Sequence, residues 1–190
     1  MKNYILKYGI IFFLSIIFTQ VTLESEPQIF RHDLSYDIPI FKTKNLNFKQ
    51  LEAEKNLDYE NKLPYKFGHN FDVDINFFEN AAYEILDNGD KVYRLQIESE
   101  DAYSINFIFN NFALSEGTQL YIYNQNLSHI IGAFTDRNNK YHKRFSTSPI
   151  SGNVVILEFY EPAFSKPSII NISSVINGYK KMDHISKPNI

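Results

Sequence analysis

Two carboxylates in the stretch 71–79 are the first side chains whose spacing could hold a metal. Asp72 and Asp74 lie two residues apart and alternate with apolar residues, so both point to one face of a strand. Together with Glu79 they could bind calcium, which takes several oxygen ligands. The alternative is that they mark the solvent face of an edge strand, and this is the interpretation we adopt.

The histidines and serines give no stronger signal for a reaction. No two histidines have a metal-ligand spacing with a third ligand nearby, so zinc is not predicted. A Ser-His-Asp site depends on spatial proximity, yet no serine lies in a Gly-x-Ser-x-Gly or Gly-Asp-Ser-Gly context. We therefore predict no catalytic, cofactor-binding or metal-binding residue. The residues considered are His32, His69, His129, His142 and His184, with the acidic turn Glu98, Glu100 and Asp101.

Basic side chains supply two further candidates. Arg137, Lys140, Lys143 and Arg144 are close in sequence and could form an anion-binding patch or the solvated end of a hairpin. Arg94 lies in a segment that alternates in polarity, where it is either paired with an acidic neighbour or exposed on a sheet.

Composition limits the classes of protein that remain. The 190 residues carry a formal net charge of -3, which argues against nucleic acid as a partner. There is no Cys, which excludes disulfides, thiolate metal sites and cysteine nucleophiles. The 17 Phe and 13 Tyr indicate an aromatic core, and no Trp is present.

Residues 1–20 have the features of an export signal. Lys2 and Lys7 precede an apolar run at 8–18, which is shorter than the about 20 residues of a membrane span. No small-x-small cleavage site is evident, so we place the cut between Thr19 and Leu23. A retained membrane anchor is the alternative. The expected location is secreted or periplasmic, with membrane contact only through this segment.

The remaining chain divides into a lead-in at 21–62, a strand-rich domain at 63–180 and a tail at 181–190. Prolines break the lead-in, which is predicted to be extended and loosely packed around one helix at 47–56. Asn47 and Gln50 have the spacing of a capping box at the start of that helix.

The domain 63–180 shows strand periodicity and turn signals, with no helices between the strands. Asn88-Gly89 predicts a hairpin, and the run 120–123 is apolar on both faces and should be a central strand. We predict an all-β, antiparallel two-sheet β-sandwich, jelly-roll-like, with no parallel sheet. The predicted strands cover 71–76, 83–86, 92–97, 103–109, 120–123, 130–134, 154–160 and 168–177.

Alternation within these strands predicts which side chains are buried. In the strand 103–109, Tyr103 should share the packed face with the three apolar residues at 105, 107 and 109. In the last strand, Ile176 should point the same way as Ile170 and Ile172. Ile156 should be as buried as Leu120.

Short motifs in a fixed order give the chain a family likeness. It resembles the N-terminal pro-region of secreted bacterial trypsin-like serine proteases of the lysyl endopeptidase type, found in Bacteroidetes. The likeness covers about residues 48–180. Its segments are LEAE at 51–54, LPYKFG at 63–68, GDKVYRL at 89–95, AYSI at 102–105, GTQLYIYN at 117–124, IGAFT at 131–135, STSPISG at 146–152, LEFYEP at 157–162 and GYK at 178–180.

This resemblance implies a non-catalytic pro-domain that assists folding of a serine protease domain or inhibits it, in cis or in trans. Tyr93 replaces the family's usual Trp, and the Cys-bearing protease domain that follows the closing strand in the family does not follow Gly178 here. No catalytic residue can therefore be carried over, and a gene fragment, a truncated paralogue and a standalone protein all remain open. The alternative function is a secreted module that binds a glycan or a cell surface by aromatic stacking. We expect a monomer with no cofactor.

Overall fold

The computed structural model describes residues 25–47, 51 and 66–181, and within them nearly all regular structure is β. A four-residue helix α1 spans Phe77–Asn80, and 3-10 turns span Gln28–Phe30 and Asp136–Asn138. The strands are β1 (Ile40–Lys42), β2 (His69–Asn76), β3 (Ala82–Ile85), β4 (Lys91–Glu98), β5 (Ser104–Ala113), β6 (Gln119–Asn124), β7 (Ile130–Phe134), β8 (Phe145–Ser146), β9 (Ile150–Ser151), β10 (Val154–Glu161) and β11 (Ile169–Gly178).

These strands form two sheets. Sheet A has the order β1-β4-β10-β6-β7, with β3 also paired to β4, and sheet B has the order β2-β11-β5-β8, with β9 also paired to β5. All pairings are antiparallel except that of β1 with β4. The predicted all-β, two-sheet architecture is confirmed, and the jelly-roll connectivity stays a prediction.

A single apolar core lies between the two sheets. Leu95, Leu120 and Leu157 of sheet A pack in the same cluster as Phe107 and Val175 of sheet B, and each is buried. Alternate residues of each strand supply this face, as expected when one face of a sheet is buried against another. Strand β6 lies between β10 and β7 and is buried along 120–123, which confirms the prediction of a central strand.

Glycines fit the tightest places in this frame. The predicted Asn88-Gly89 hairpin is present: Gly89 has a φ of +85°, and its backbone N–H donates to the carbonyl of Leu86 at 2.8 Å. Gly178, in the closing motif of the resemblance, lies directly against Ser104 of β5, where an added Cβ would overlap the serine hydroxyl.

Two predicted faces are wrong because strands start late or change register. Strand β5 begins at Ser104, so Tyr103 lies before it and is half exposed instead of packed. Strand β11 changes register between Ile172 and Ser174. Such a bulge moves the following residues to the opposite faces, and Val175 is therefore buried in place of Ile176.

The prediction for Ile156 is also wrong. In β10 the residues facing sheet B are Val155, Leu157 and Phe159, all buried, whereas Ile156 lies on the other face of sheet A and is only partly buried. The sequence of this strand is apolar on both faces, so its alternation does not show which of the two sets of side chains faces sheet B.

The described part of the lead-in is mostly exposed, but it is attached to sheet A at specific points that the prediction of a loosely packed segment did not include. Residues 25–43, which we name the strap, run across the face of sheet A that points away from sheet B, and Gln28, Leu34 and Thr43 of the strap are buried. Its last part, β1, pairs in parallel with Gln96, Ile97 and Glu98 of β4, so sheet A, otherwise antiparallel, includes one parallel pairing that was not predicted. Residues 43–90 connect these two strands, and a parallel crossover needs only a dozen or more residues.

Three sequence predictions lie largely outside the described residues. The export segment 1–20 is not described at all, and neither is the C-terminal tail beyond residue 181. Of the predicted helix 47–56, only Asn47 and Leu51 are described, and the Leu51 N–H donates to the Asn47 carbonyl at 3.0 Å.

Candidate functional site

Each carboxylate considered for metal binding accepts a hydrogen bond from the side-chain amide of an asparagine. Asp72 accepts a hydrogen bond from Asn70 at 2.6 Å, and Asp74 accepts one from Asn171 at 3.0 Å. Glu79 accepts from Asn76 at 2.7 Å. In the described part of the chain, no three His, Cys, Asp or Glu side chains are grouped as metal ligands.

In the acidic turn at the end of β4, one carboxylate forms an ion pair and the other two are exposed to solvent. Glu98 accepts from the Lys42 ammonium at 2.8 Å and from Gln96 at 2.8 Å, and these bonds lower the pKa of Glu98. Glu100 and Asp101 are exposed at the turn that follows. This turn therefore joins the strap to β4 through Lys42.

One histidine lies beside a serine. The Nδ1 atom of His129 is 3.1 Å from the Ser151 hydroxyl oxygen, and the same nitrogen accepts the Ser151 backbone N–H at 3.2 Å. Within residues 25–47, 51 and 66–181, no carboxylate is hydrogen-bonded to the His129 ring. The pair thus lacks the third group that orients the base in a catalytic triad. No hydrogen bond joins His32, His69 or His142 to this pair among the described residues, and His184 falls outside them.

The unusual chemistry of the molecule is a polar cluster beneath the strap. Glu158 of β10 is fully buried, Arg94 of β4 is 3% exposed, and the two residues are directly opposite in the β4–β10 register. Tyr121 and Tyr123 of β6 complete the same layer. Charged side chains are seldom buried unless they are paired and hydrogen-bonded.

Each member of this cluster has a specific partner. One carboxylate oxygen of Glu158 accepts the Gln28 backbone N–H at 2.5 Å, and the other accepts the Tyr123 hydroxyl at 2.8 Å. The Arg94 guanidinium donates to Glu84 at 2.6 Å and to the Ser35 carbonyl at 2.5 Å. Two points of the strap are therefore fixed by charge-assisted hydrogen bonds, which are the stronger kind.

Burial dominates the electrostatics of this layer. It raises the pKa of the Glu158 carboxyl, although the hydrogen bonds from Tyr123 and Gln28 and the charge of Arg94 act in the opposite direction. Burial also raises the pKa of the Tyr123 hydroxyl, and the nearby Glu158 raises it further. The Glu158 carboxyl, whose charged form is disfavoured by burial, therefore faces the strap and not an open cavity.

A second candidate is an aromatic groove at the edge of sheet A, with a volume of about 500 Å³. The Tyr83 ring, half exposed, lies 5.2 Å from the Tyr93 ring, and Phe78 contacts Tyr93 edge-to-face at 5.2 Å. The full lining is Phe78, Ala81, Tyr83, Tyr93, Glu161, Ser165, Pro167 and Ser168.

Polar atoms accompany the rings of this groove. Glu161 is ion-paired with Lys91 at 3.7 Å, and the Lys91 ammonium lies 5.7 Å from the centre of the Tyr83 ring. The Ser165 hydroxyl is buried and has no hydrogen-bond partner among the described residues. An aromatic platform beside a carboxylate and a hydroxyl can stack against the apolar face of a ring and form hydrogen bonds with the hydroxyl groups of that ring.

The sequence pointed to part of these sites. For Arg94 the ion-pair alternative is the one observed, with Glu84 as the partner. The burial of Glu158 was not foreseen, although a lone acid inside the apolar run 154–160 is a usable signal. The groove joins three separate segments, so no local pattern could have found it. The four basic residues between 137 and 144 are all exposed, and they lie in the loop that joins β7 to β8.

Comparisons with known proteins add no assignment. No family model matches the chain, and no curated protein and no solved structure matches it either. Among the helices of the described residues, none is long and apolar enough to cross a membrane.

Proposed function

We propose that this chain is a secreted, non-catalytic β-sandwich pro-domain that assists or inhibits a lysyl endopeptidase-like serine protease. The proposal includes the export signal at 1–20 and the jelly-roll-like connectivity. The partner is the protease domain, in cis or in trans, and the protein acts as a monomer outside the cytoplasm.

One observation carries the proposal. Arg94 belongs to the GDKVYRL motif and Glu158 to the LEFYEP motif, which are separate segments of the family likeness. In the fold the two residues are opposite each other on adjacent strands and both are buried. Residues from two motifs of the resemblance therefore contribute to one structural layer, and this supports the proposal.

A refolding and inhibition assay tests this function. The purified chain is mixed with the denatured catalytic domain of a lysyl endopeptidase-type protease, and cleavage of a lysyl reporter substrate is followed during refolding and afterwards. We expect a higher yield of refolded protease and stoichiometric inhibition of the active enzyme. An unrelated secreted β-sandwich at the same concentration is the control.

If the chain changes neither the yield nor the activity, the proposal is wrong. The gene offers an independent check beyond Ile190. An open frame that encodes a His-containing segment and a Gly-Asp-Ser-Gly segment would support a protease partner in cis.

The aromatic groove favours a second candidate function, binding of a neutral glycan. Tyr83 supplies the exposed ring, and Glu161 and Ser165 supply groups that accept or donate hydrogen bonds to sugar hydroxyls. We expect Tyr83→Ala to abolish binding on a glycan array, whereas Tyr36→Ala, which removes an exposed tyrosine of the strap, leaves it unchanged. A blank array for the parent chain together with protease binding would eliminate this candidate.

A further inference from the structure

The loop that joins β7 to β8 concentrates positive charge on an exposed surface. Arg137, Lys140, Lys143 and Arg144 are all exposed, and Tyr141 among them is 99% exposed. Without these four cations the formal net charge of the chain, -3, would be -7. The loop is therefore a local basic surface on an acidic protein. We name residues 137–144 the basic loop.

The basic loop is held firmly at its base. The Asn139 side-chain amide accepts the Leu114 N–H and donates to the Leu114 carbonyl, both at 2.8 Å. The Lys143 carbonyl accepts the Phe112 N–H at 2.8 Å. The buried Asn138 caps the turn by accepting the Thr135 N–H at 2.8 Å. Little backbone conformational entropy would therefore be lost when a partner binds the loop.

Among the described residues, three cations of the basic loop lack the carboxylate partner that several other cations of the molecule have. Lys42, Lys91 and Arg94 each have a carboxylate partner. In the part of the chain that the structure describes, the side chains of Arg137 and Arg144 form neither an ion pair nor a hydrogen bond, and the same is true of Lys143.

We propose that the basic loop is a docking surface for an acidic segment of another protein, with Tyr141 as its central contact. Arginine and tyrosine are the residue types enriched among the strongly contributing positions of protein interfaces. Unpaired cations around an exposed aromatic ring offer charge complementarity without first breaking internal ion pairs. The surface is independent of the proposed protease partner and of the aromatic groove.

The net negative charge of the rest of the molecule favours a short acidic partner segment over an extended polyanion. Charges beyond the Debye length, about 8 Å in physiological salt, contribute little to binding. A short acidic segment at the loop is therefore attracted by the local cations, whereas an extended polyanion such as duplex nucleic acid or an anionic bilayer also meets the remaining acidic surface. The Tyr141 ring is almost fully exposed, which favours insertion into a protein partner over capture of a sugar in a cleft.

Fluorescence anisotropy with a labelled oligoglutamate peptide tests this inference on the full chain. We expect saturable binding that weakens as the salt concentration rises. The triple variant Arg137→Gln/Lys143→Gln/Arg144→Gln should weaken binding about tenfold or more, and Tyr141→Ala should weaken it by a smaller factor. Unchanged urea midpoints would show that these exposed substitutions leave the fold intact.

The matched control removes the same charge elsewhere. Lys44→Gln/Lys166→Gln/Lys181→Gln neutralises three exposed lysines outside the loop and should leave binding unchanged. Equal weakening by the two triple variants would show that only net charge matters and would overturn the proposal. No binding of the parent chain would overturn it as well, as would tighter binding of a sulfated oligosaccharide of equal charge.

Discussion

Replacement of Leu120 by alanine is expected to lower the free energy of unfolding by about 2–5 kcal/mol, the range for deleting a buried aliphatic side chain. Leu120 is fully buried in β6, between Phe159 of β10 and Phe134 of β7. Strands on both sides limit the collapse of the cavity. The chain contains no Cys, so no covalent link offsets the loss. Since a domain of this size has a total stability of about 5–15 kcal/mol, much of it would be removed.

Urea midpoints measure this effect against two controls. Lys140→Ala in the basic loop should change the free energy of unfolding by less than about 0.5 kcal/mol, as is usual for exposed positions. Ile156→Ala should fall between the two, because Ile156 is partly buried beneath the strap and not between the sheets. If Lys140→Ala shifts the midpoint as far as Leu120→Ala does, the assignment of β6 as the central strand is contradicted.

The strands themselves could be predicted because their signals are local. The alternation at 71–76, the Asn88-Gly89 turn and the apolar run at 120–123 each specify a backbone conformation within a few residues. Where the pattern is strict, as at Ile105 and Phe107, the burial also follows.

The remaining features depend on contacts far apart in sequence. The bulge near Ser174 is set by pairing of β11 with both β2 and β5, so the sequence around Ile176 does not reveal it. The strap is held by Gln28, which contacts Glu158 across 130 positions. A segment with breakers and mixed polarity looks loose until its partner surface is known, and that surface exists only after the sheet has formed.

The same reasoning applies to the polar layer of sheet A. A single acid inside an apolar run conflicts with the local pattern, and such conflicts tend to mark a special site. The sequence left Arg94 between an ion pair and exposure because neither Glu84 nor the strap could be placed beside it. Only the sheet register brings Arg94 and Glu158 together.

Replacement of Arg94 by methionine is expected to lower the free energy of unfolding at neutral pH by about 1–3 kcal/mol, the cost of leaving buried polar groups without their hydrogen-bond partner. The ion pair itself adds little to this loss, because the side chain of its partner Glu84 is 37% exposed. The change leaves the Ser35 carbonyl without its donor and Glu158 without the nearby cation. Methionine keeps much of the volume of the side chain, so the loss reports on charge and hydrogen bonding. Urea unfolding of the variant and of the parent chain measures it.

The matched control is Lys42→Met, which breaks an ion pair with similar geometry at the surface. The Lys42 ammonium lies 2.8 Å from Glu98, but its side chain is 69% exposed. Exposed pairs contribute about 0–1 kcal/mol, because water solvates both charges after the pair is broken. Equal losses for Arg94→Met and Lys42→Met would show that burial adds nothing to the strength of the Arg94 site.

The pH dependence separates the charge of Glu158 from other consequences of losing Arg94. Burial raises the pKa of Glu158 in the folded state, so protonation favours folding, and the contribution of this group to stability grows as the pH falls through the folded pKa towards the unfolded value of about 4.3. Arg94→Met removes a charge that lowers this pKa. The deficit of the variant relative to the parent should therefore shrink as the pH is lowered from 7, and the double variant Arg94→Met/Glu158→Gln should recover much of the loss at pH 7. A deficit that is constant with pH and persists in the double variant would place the loss in the hydrogen bond from Arg94 to the Ser35 carbonyl and not in the buried carboxylate.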